Sequence, residues 1–261
     1  VSGDVTPWGL AASLILVAVA IVLSRWQGLR LERDMVVSVL RSLAQLLLVS
    51  AGLTLVVAED APLIWSWLWV AAILAFSAVT VSRRAPQLPH VLELAAAANG
   101  ACLLVGLGVL FGLGVFPVEG RTVVPLAGMV VGNAMKSCVV AAQLIAETIA
   151  ERRPDIEARL ALGLPGHVAV KPVVRGVLRT AISPQIEQTK ALGIVFLPGA
   201  MTGLILAGVD PVDAVLVQLA LMYVILGGAV TSTVVMTLGA VRRLFTADHR
   251  LIAIDRSARD E

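Results

Sequence analysis

VVPLAGMVVGNAMKSCVVAAQLIA, residues Val123–Ala146, holds a single charge, Lys136, and its reading decides the fold. A helix needs about 20 mainly apolar residues, each rising about 1.5 Å, to cross a bilayer. This stretch is long enough, and comparable runs flank it on both sides. Spans are predicted over Pro7–Ser24, Met35–Ala58, Leu63–Ser82, Val91–Val115, Val123–Ala146, Ala191–Gly208 and Val212–Ala240. The 261 residues are 58% apolar and 15% charged, with a mean hydropathy of +0.92, against roughly 45–50% and about 25% in soluble domains. That balance excludes a disordered chain, a secreted disulfide scaffold and an ordinary soluble enzyme. The expected fold is all-α: a polytopic integral membrane protein with about seven transmembrane helices, one transmembrane domain over 1–261.

Aromatic and charged residues orient the spans. Trp8 and Trp26 bracket the first, and Trp65, Trp67 and Trp69 crowd the start of the third, as indole favours the headgroup layer. Arg25, Arg30, Arg33, Arg83, Arg84, the cations between Arg152 and Lys190, and those from Arg242 onward share one side; Arg121 stands alone on the other. Asp4, Glu59, Asp60, Glu119, Asp210 and Asp213 fall on that second side. Positive-inside reasoning puts the N-terminus outside and the C-terminus in the cytoplasm. The first run lacks a basic leader and a small-residue cleavage site, so it is read as a retained span. A cytoplasmic loop over 147–190 and a tail over 242–261 complete the plan. The loop's apolar spacing predicts short amphipathic helices broken at Pro154, Gly163–Gly166 and Pro172. They form either a hairpin on the inner leaflet or a platform for a cytoplasmic protein. A net charge of +2 gives no field for nucleic acid. Cys102 and Cys138 lie in apolar runs, where thiols pack as small hydrophobes.

Polar groups at bilayer depth are costly and mark function. Arg41 and Gln45 share one helix face, Arg41 either snorkelling to the inner edge or pointing inward. Asn99, Asn133 and Gln143 are read as interhelical hydrogen-bonding groups. Lys136 stands roughly ten residues or more from either end of its span, so it needs an aqueous cavity or a partner carboxylate. Gly128 and Gly132 have the spacing that lets helices approach, with Met135 beside them. Pro198 removes a backbone donor mid-span and kinks its helix, with Gly199, Met201 and Gly203 following. These two segments line a pore or a dimer contact, or simply pack tightly. No catalytic set appears: His90, His167 and His249 have no metal-ligand spacing, and no phosphate loop or nucleophile elbow is present. The metal-ligand set is unknown, and an ATP-driven transporter would need its motor on another chain.

The chain resembles the FetB-type permeases of ABC transporters, assigned to iron export in bacteria and related to a plant aluminium-tolerance transporter subunit. The matching residues are Leu31–Asp34, Ser38–Val39, Arg41, Gln45–Leu46, Pro125–Met129, Gly132–Met135, Leu160–Gly163, Arg175, Arg179, Pro184, Lys190, Leu192–Gly193, Leu197–Gly199, Met201, Gly203, Ala207–Pro211, Ala214 and Gln218. The resemblance implies a permease subunit of the bacterial inner membrane, working as a homodimer among membrane lipids. It binds no cofactor itself; ATP and Mg sit on a separate cytoplasmic ABC ATPase. Glu157, Gly163, Arg175 and Arg179 are the expected coupling residues. Arg41, Gln45, Asn133, Met135, Lys136, Pro198 and Met201 are the expected transport path, and Gly128, Gly132, Gly199 and Gly203 the packing positions. Two positions depart from the family: Ala200 replaces a second Met, and Lys136 replaces an uncharged residue. A buried ammonium repels Fe²⁺, so an anionic cargo such as a nucleotide-sugar stays open beside iron. An ion-gradient transporter using Glu93 or Glu147 is the mechanistic alternative.

Overall fold

The computed structural model describes residues 7–56, 62–194, 197–246 and 250–252. Asp4, Glu59, Asp60, His249 and the tail beyond Ile252 lie outside them. The described residues are helical almost throughout and fall into two compact units, 1–61 and 62–261.

The first unit is a helical hairpin, α1 (Pro7–Trp26) and α2 (Glu32–Val56). Its turn is tied by Ser24, whose hydroxyl accepts from the Leu31 N–H at 3.2 Å and donates to Glu32 at 3.4 Å. Gly28 (φ +66°) and Arg30 (φ 56°) take left-handed conformations there. That is cheap for glycine and costs an arginine about 1–2 kcal/mol.

The second unit is built on α3 (Leu63–Arg84), α4 (Val91–Gly112), α5 (Gly120–Glu151) and α10 (Pro211–Leu244). With α2, these are the five helices among the described residues long and apolar enough to cross a membrane, and the apolar part of α1 over Leu14–Trp26 is shorter. Six of the predicted spans are therefore found as helices, with shifted ends. Small residues set the packing of the four. Ala127, Ala134, Cys138, Ala141 and Ala142 line the buried side of α5, and Gly106 and Gly228 bring α4 against α5 and α10. A buried polar chain crosses the bundle: Ser232 donates to Asn99 at 2.8 Å, and Asn99 donates to Ser77 at 3.2 Å. The expectation that Asn99 joins helices is met between α3, α4 and α10. Cys102 and Cys138 are free and buried.

The stretch 147–210 departs from the sequence reading. α6 (Arg153–Ala161) and α7 (Gly166–Ala169) are short, and α8 (Lys171–Lys190) runs for 20 residues. Pro154 and Pro172 open helices instead of breaking them, because a proline in the first turn forfeits no hydrogen bond. Nor does α8 stand apart as a hairpin. Its stripe Val173, Val177 and Ala181 joins the core formed by Ala142, Ile145 and Ile149 of α5 and Val241 and Leu244 of α10. Just past its end, Leu192 packs on Cys102, Val130, Ala134, Met222 and Ile225. Cys102 is at the middle of α4, so α8 climbs from the ends of α5 and α10 to mid-bundle.

Ala191–Gly208 is accordingly not one helix, a correction to the predicted sixth span. The chain leaves α8 at Lys190, turns at Gly193 (φ +80°), and re-enters helix only at α9 (Gly199–Leu206), eight residues long. Pro198 takes an extended conformation and caps that helix instead of kinking a continuous one. α9 packs on α10. α10 begins where Asp210 accepts from the Val212 N–H at 2.8 Å, with Pro211 in the first turn.

At the other end of α10 the chain doubles back. Phe245 and Leu251 form an antiparallel bridge, Ile252 donates to the Leu244 carbonyl at 2.9 Å, and Leu251 enters the core. The Phe245 ring lies so close to Gly166 that a Cβ there would be 3.0 Å from it.

Candidate functional site

One candidate region is the uncovered side of α5 and the broken segment beside α10. Gly128, Gly132, Asn133, Met135 and Lys136 sit on α5 within about two turns. Asn133 donates back to the Met129 carbonyl at 2.8 Å, so it is not an interhelical bridge within this chain. Met135 is partly buried against the core. Lys136 is exposed, with no ion pair among the described residues. In a helix the Cα–Cβ bond tilts toward the N-terminus, so its ammonium reaches toward mid-bundle and away from the end where α6–α8 pack. Gln143 donates to the Arg84 carbonyl at 3.0 Å, pinning that level of α5 to the end of α3.

On the broken segment Pro198 is buried and Met201 half-buried, and Thr202 donates to the Gly199 carbonyl at 2.9 Å. A Cβ at Gly132, Gly199 or Gly203 would meet nothing within 4 Å, and one at Gly128 would only graze Ile73. These glycines present smooth, open backbone. The close approaches inside the chain belong to Gly106, Gly166, Gly228 and Gly239, whose neighbours no spacing rule identifies. In the first unit, Arg41 and Gln45 lie on the exposed surface of α2.

A second region lies at the far end. An open groove of about 750 Å³ is lined by Arg153, Glu157, Leu160, Gly163, Leu164, Pro165, Arg250 and Leu251. Arg153 is its keystone: it pairs with Glu157 at 2.7 Å and donates to the Leu251 carbonyl at 3.3 Å. Gly163 (φ +84°) makes the turn that opens the groove. The structure thus brings Glu157 and Gly163 together, and sequence reading missed Arg153 and Arg250, which become neighbours only when the chain folds back. Arg175 and Arg179 are elsewhere, on the exposed face of α8. No group of three or more His, Cys, Asp or Glu side chains able to hold a metal occurs among the described residues.

Residues 7–245 match the family described as "Uncharacterised protein family (UPF0014)". The chain is 31% identical over 255 residues to the "Probable iron export permease protein FetB" of Escherichia coli, covering 96% of each chain. It is 32% identical over 240 residues to the "UPF0014 membrane protein STAR2" of rice, covering 92% of this chain and 84% of that one. It is also 32% identical over 243 residues to "Protein ALUMINUM SENSITIVE 3" of Arabidopsis thaliana, covering 92% and 88%. No solved structure matches. A polytopic helical bundle, matched to these proteins over nearly all its length, belongs to the UPF0014 family of membrane proteins.

Proposed function

We propose that this chain is the permease subunit of an ATP-driven exporter of iron or another metal. Two copies work by alternating access, and a separate ABC ATPase drives them from the cytoplasm. The end of the bundle holding α6–α8 is then cytoplasmic, the N-terminus outside, and the membrane the bacterial inner membrane. The observation that carries this reading is α8. This helix follows directly on α7 and the groove-lining Gly163, Leu164 and Pro165, and it ends at Lys190, beside Leu192 in mid-bundle. A force applied at the groove passes through α7 and α8 to the turn at Gly193, where α8 has ended. Irregular backbone at membrane depth persists only against protein or water, and interrupted helices frame the binding sites of many transporters.

In this scheme an ATPase element seats in the groove, Glu157 and Arg153 orienting it. Arg175 and Arg179 extend the contact along α8. Closure of the ATPase dimer rocks α8, and the break with α9, Pro198 and Met201 switches access between the two sides. Asn133, Met135 and Lys136 on α5 line the path; within the first unit, Arg41 and Gln45 on α2 are further candidates for cargo contact. Gly128, Gly132, Gly199 and Gly203 give the second copy its close approach.

The test is flux of iron in vesicles containing this permease with its cognate ATPase. Glu157→Arg should abolish ATP-dependent flux and ATPase co-purification while the permease still inserts. Flux that survives ATP depletion but not an uncoupler would refute the reading in favour of an ion gradient.

A further inference from the structure

The climb of α8 changes which charges lie inside the membrane. Leu192 and Ala134 belong to the same packed layer, level with the middle of α4. At about 1.5 Å per helical residue, Lys190 and Lys136 lie about 3 Å from that layer and Glu187 about 8 Å from it. A hydrocarbon core extends about 15 Å either side of its centre, so all three are within it. Glu187 is the deepest carboxylate of the second unit among the described residues, in a stretch whose hydropathy reads as water-exposed loop. It pairs with Lys190 at 2.8 Å, and the two side chains remain 64% and 65% exposed. Lys136 is exposed at the same depth. Charged side chains at this level do not face lipid; they face a bundle interior or water-filled space.

We infer that Lys136 and Lys190 are cargo-recognising residues for anionic oxygen, carboxylate or phosphate, and that Glu187 is a built-in counter-ion which the cargo displaces from Lys190. The proposal rests on the transport reading above and specifies the cargo's charge. Two ammonium groups and one carboxylate leave the level with a net charge of +1, repelling a bare divalent cation and complementing an anion. A metal passing here does so wrapped in anionic ligands. In the empty permease Glu187 satisfies Lys190, so that ammonium is neutralised internally until an anionic group competes for it. Charge-assisted hydrogen bonds of this kind are strong enough to select a ligand yet exchangeable for one another.

The experiment is equilibrium binding to the purified full chain in lipid nanodiscs. The probes are iron(II) alone, the iron(III)–citrate complex, citrate alone and pyrophosphate. The expected result is binding of the anionic probes and none of iron(II). Lys190→Met and Lys136→Met should each weaken anion binding about tenfold, Lys190→Arg should restore it, and Glu187→Gln should tighten it at least threefold by removing the competitor. A merely structural ion pair would lose binding in both Glu187 and Lys190 variants, which overturns the proposal. Iron(II) binding with no anion binding, or no binding of any probe, also overturns it, and the wild type alone decides these outcomes. Selective retention of iron–citrate assigns a metal complex as cargo; equal retention of citrate or pyrophosphate assigns the free anion. Anion binding without ATP-dependent flux counts against the ATP-driven reading and leaves the site standing. ATP-driven flux of bare iron(II) without anion binding does the reverse.

Discussion

Gly228 is a point of close approach between α10 and α4 near mid-bundle, and replacing it tests the packing from which the depth of Leu192 is read. A Cβ there would lie 2.7 Å from Cys102 Sγ, with Val130 at 3.5 Å and the Cys102 carbonyl at 4.0 Å. Ordinary contacts between heavy atoms are about 3.5–4.0 Å, so Gly228→Ala falls about 1 Å short of room. Cys102 is fully buried and has no open side to move into. Overpacking of this degree costs about 1–3 kcal/mol, offset by up to about 1 kcal/mol from replacing a helical glycine. The expected net loss is about 1–2 kcal/mol. For a unit of this size that lowers the melting temperature by about 2–8 °C, read by tryptophan fluorescence on heating the detergent-solubilised chain. Cys102→Ala alone costs about 1 kcal/mol through lost packing. It also removes the obstructing sulfur, so the double variant should be less destabilised than the sum, with a coupling of about 1–2 kcal/mol. Additivity within about 0.5 kcal/mol would mean that α4 and α10 do not meet at this register, and the depth assigned to Leu192 would fall with it.

Three other perturbations have definite expected outcomes. Asn99→Ala removes the acceptor for Ser232 and the donor to Ser77, while Ser77 keeps its own bond to the Leu74 carbonyl at 2.8 Å. Interhelical hydrogen bonds in membranes average about 0.6 kcal/mol, so with the cavity a loss of about 1–3 kcal/mol is expected in the same melt. His90 stands at φ 52° before α4, where its carbonyl accepts from Arg243 at 2.6 Å. His90→Gly relieves the left-handed strain and retains that backbone bond, so stability should rise by about 1 kcal/mol. Arg153→Ala removes the side chain that ties Glu157 to the Leu251 carbonyl. Limited proteolysis should then cut the 245–252 segment several-fold faster, with the melting temperature of the bundle changed by less than about 2 °C.

Most of the fold was legible in the sequence. The run Val123–Ala146 reads as a span because it exceeds the roughly 20 apolar residues a bilayer crossing needs and holds one charge, in a chain too apolar for a soluble domain. Asn99 reads as an interhelical group because an amide at that depth must find a partner. α8 was not legible as part of the bundle. Averaging hydropathy along 171–190 mixes Lys171, Arg175, Arg179, Glu187 and Lys190 with the stripe Val173, Val177 and Ala181, and the average resembles a loop. The i, i+4 spacing of that stripe was the available signal, but amphipathicity alone does not say whether a helix faces a leaflet or other helices. Pro198 reads from sequence as a kink in one continuous span; that it instead caps a new helix depends on the turn at Gly193 and on what Leu192 packs against.

What the sequence determines by itself is the solvent: composition and the length of apolar runs commit the chain to a bilayer, and spacing commits those runs to helices, because backbone groups in hydrocarbon must be satisfied within the segment. What only the tertiary structure decides is depth and proximity. Glu187 and Lys190 come near the level of mid-bundle, and Arg153 and Arg250 come to line one groove, only after α8 packs on α5 and α10 and the chain folds back at Phe245. The reason is physical: hydropathy is a local, additive property of a segment, whereas the level of a side chain in the membrane is set by which distant residues fill the space beside it.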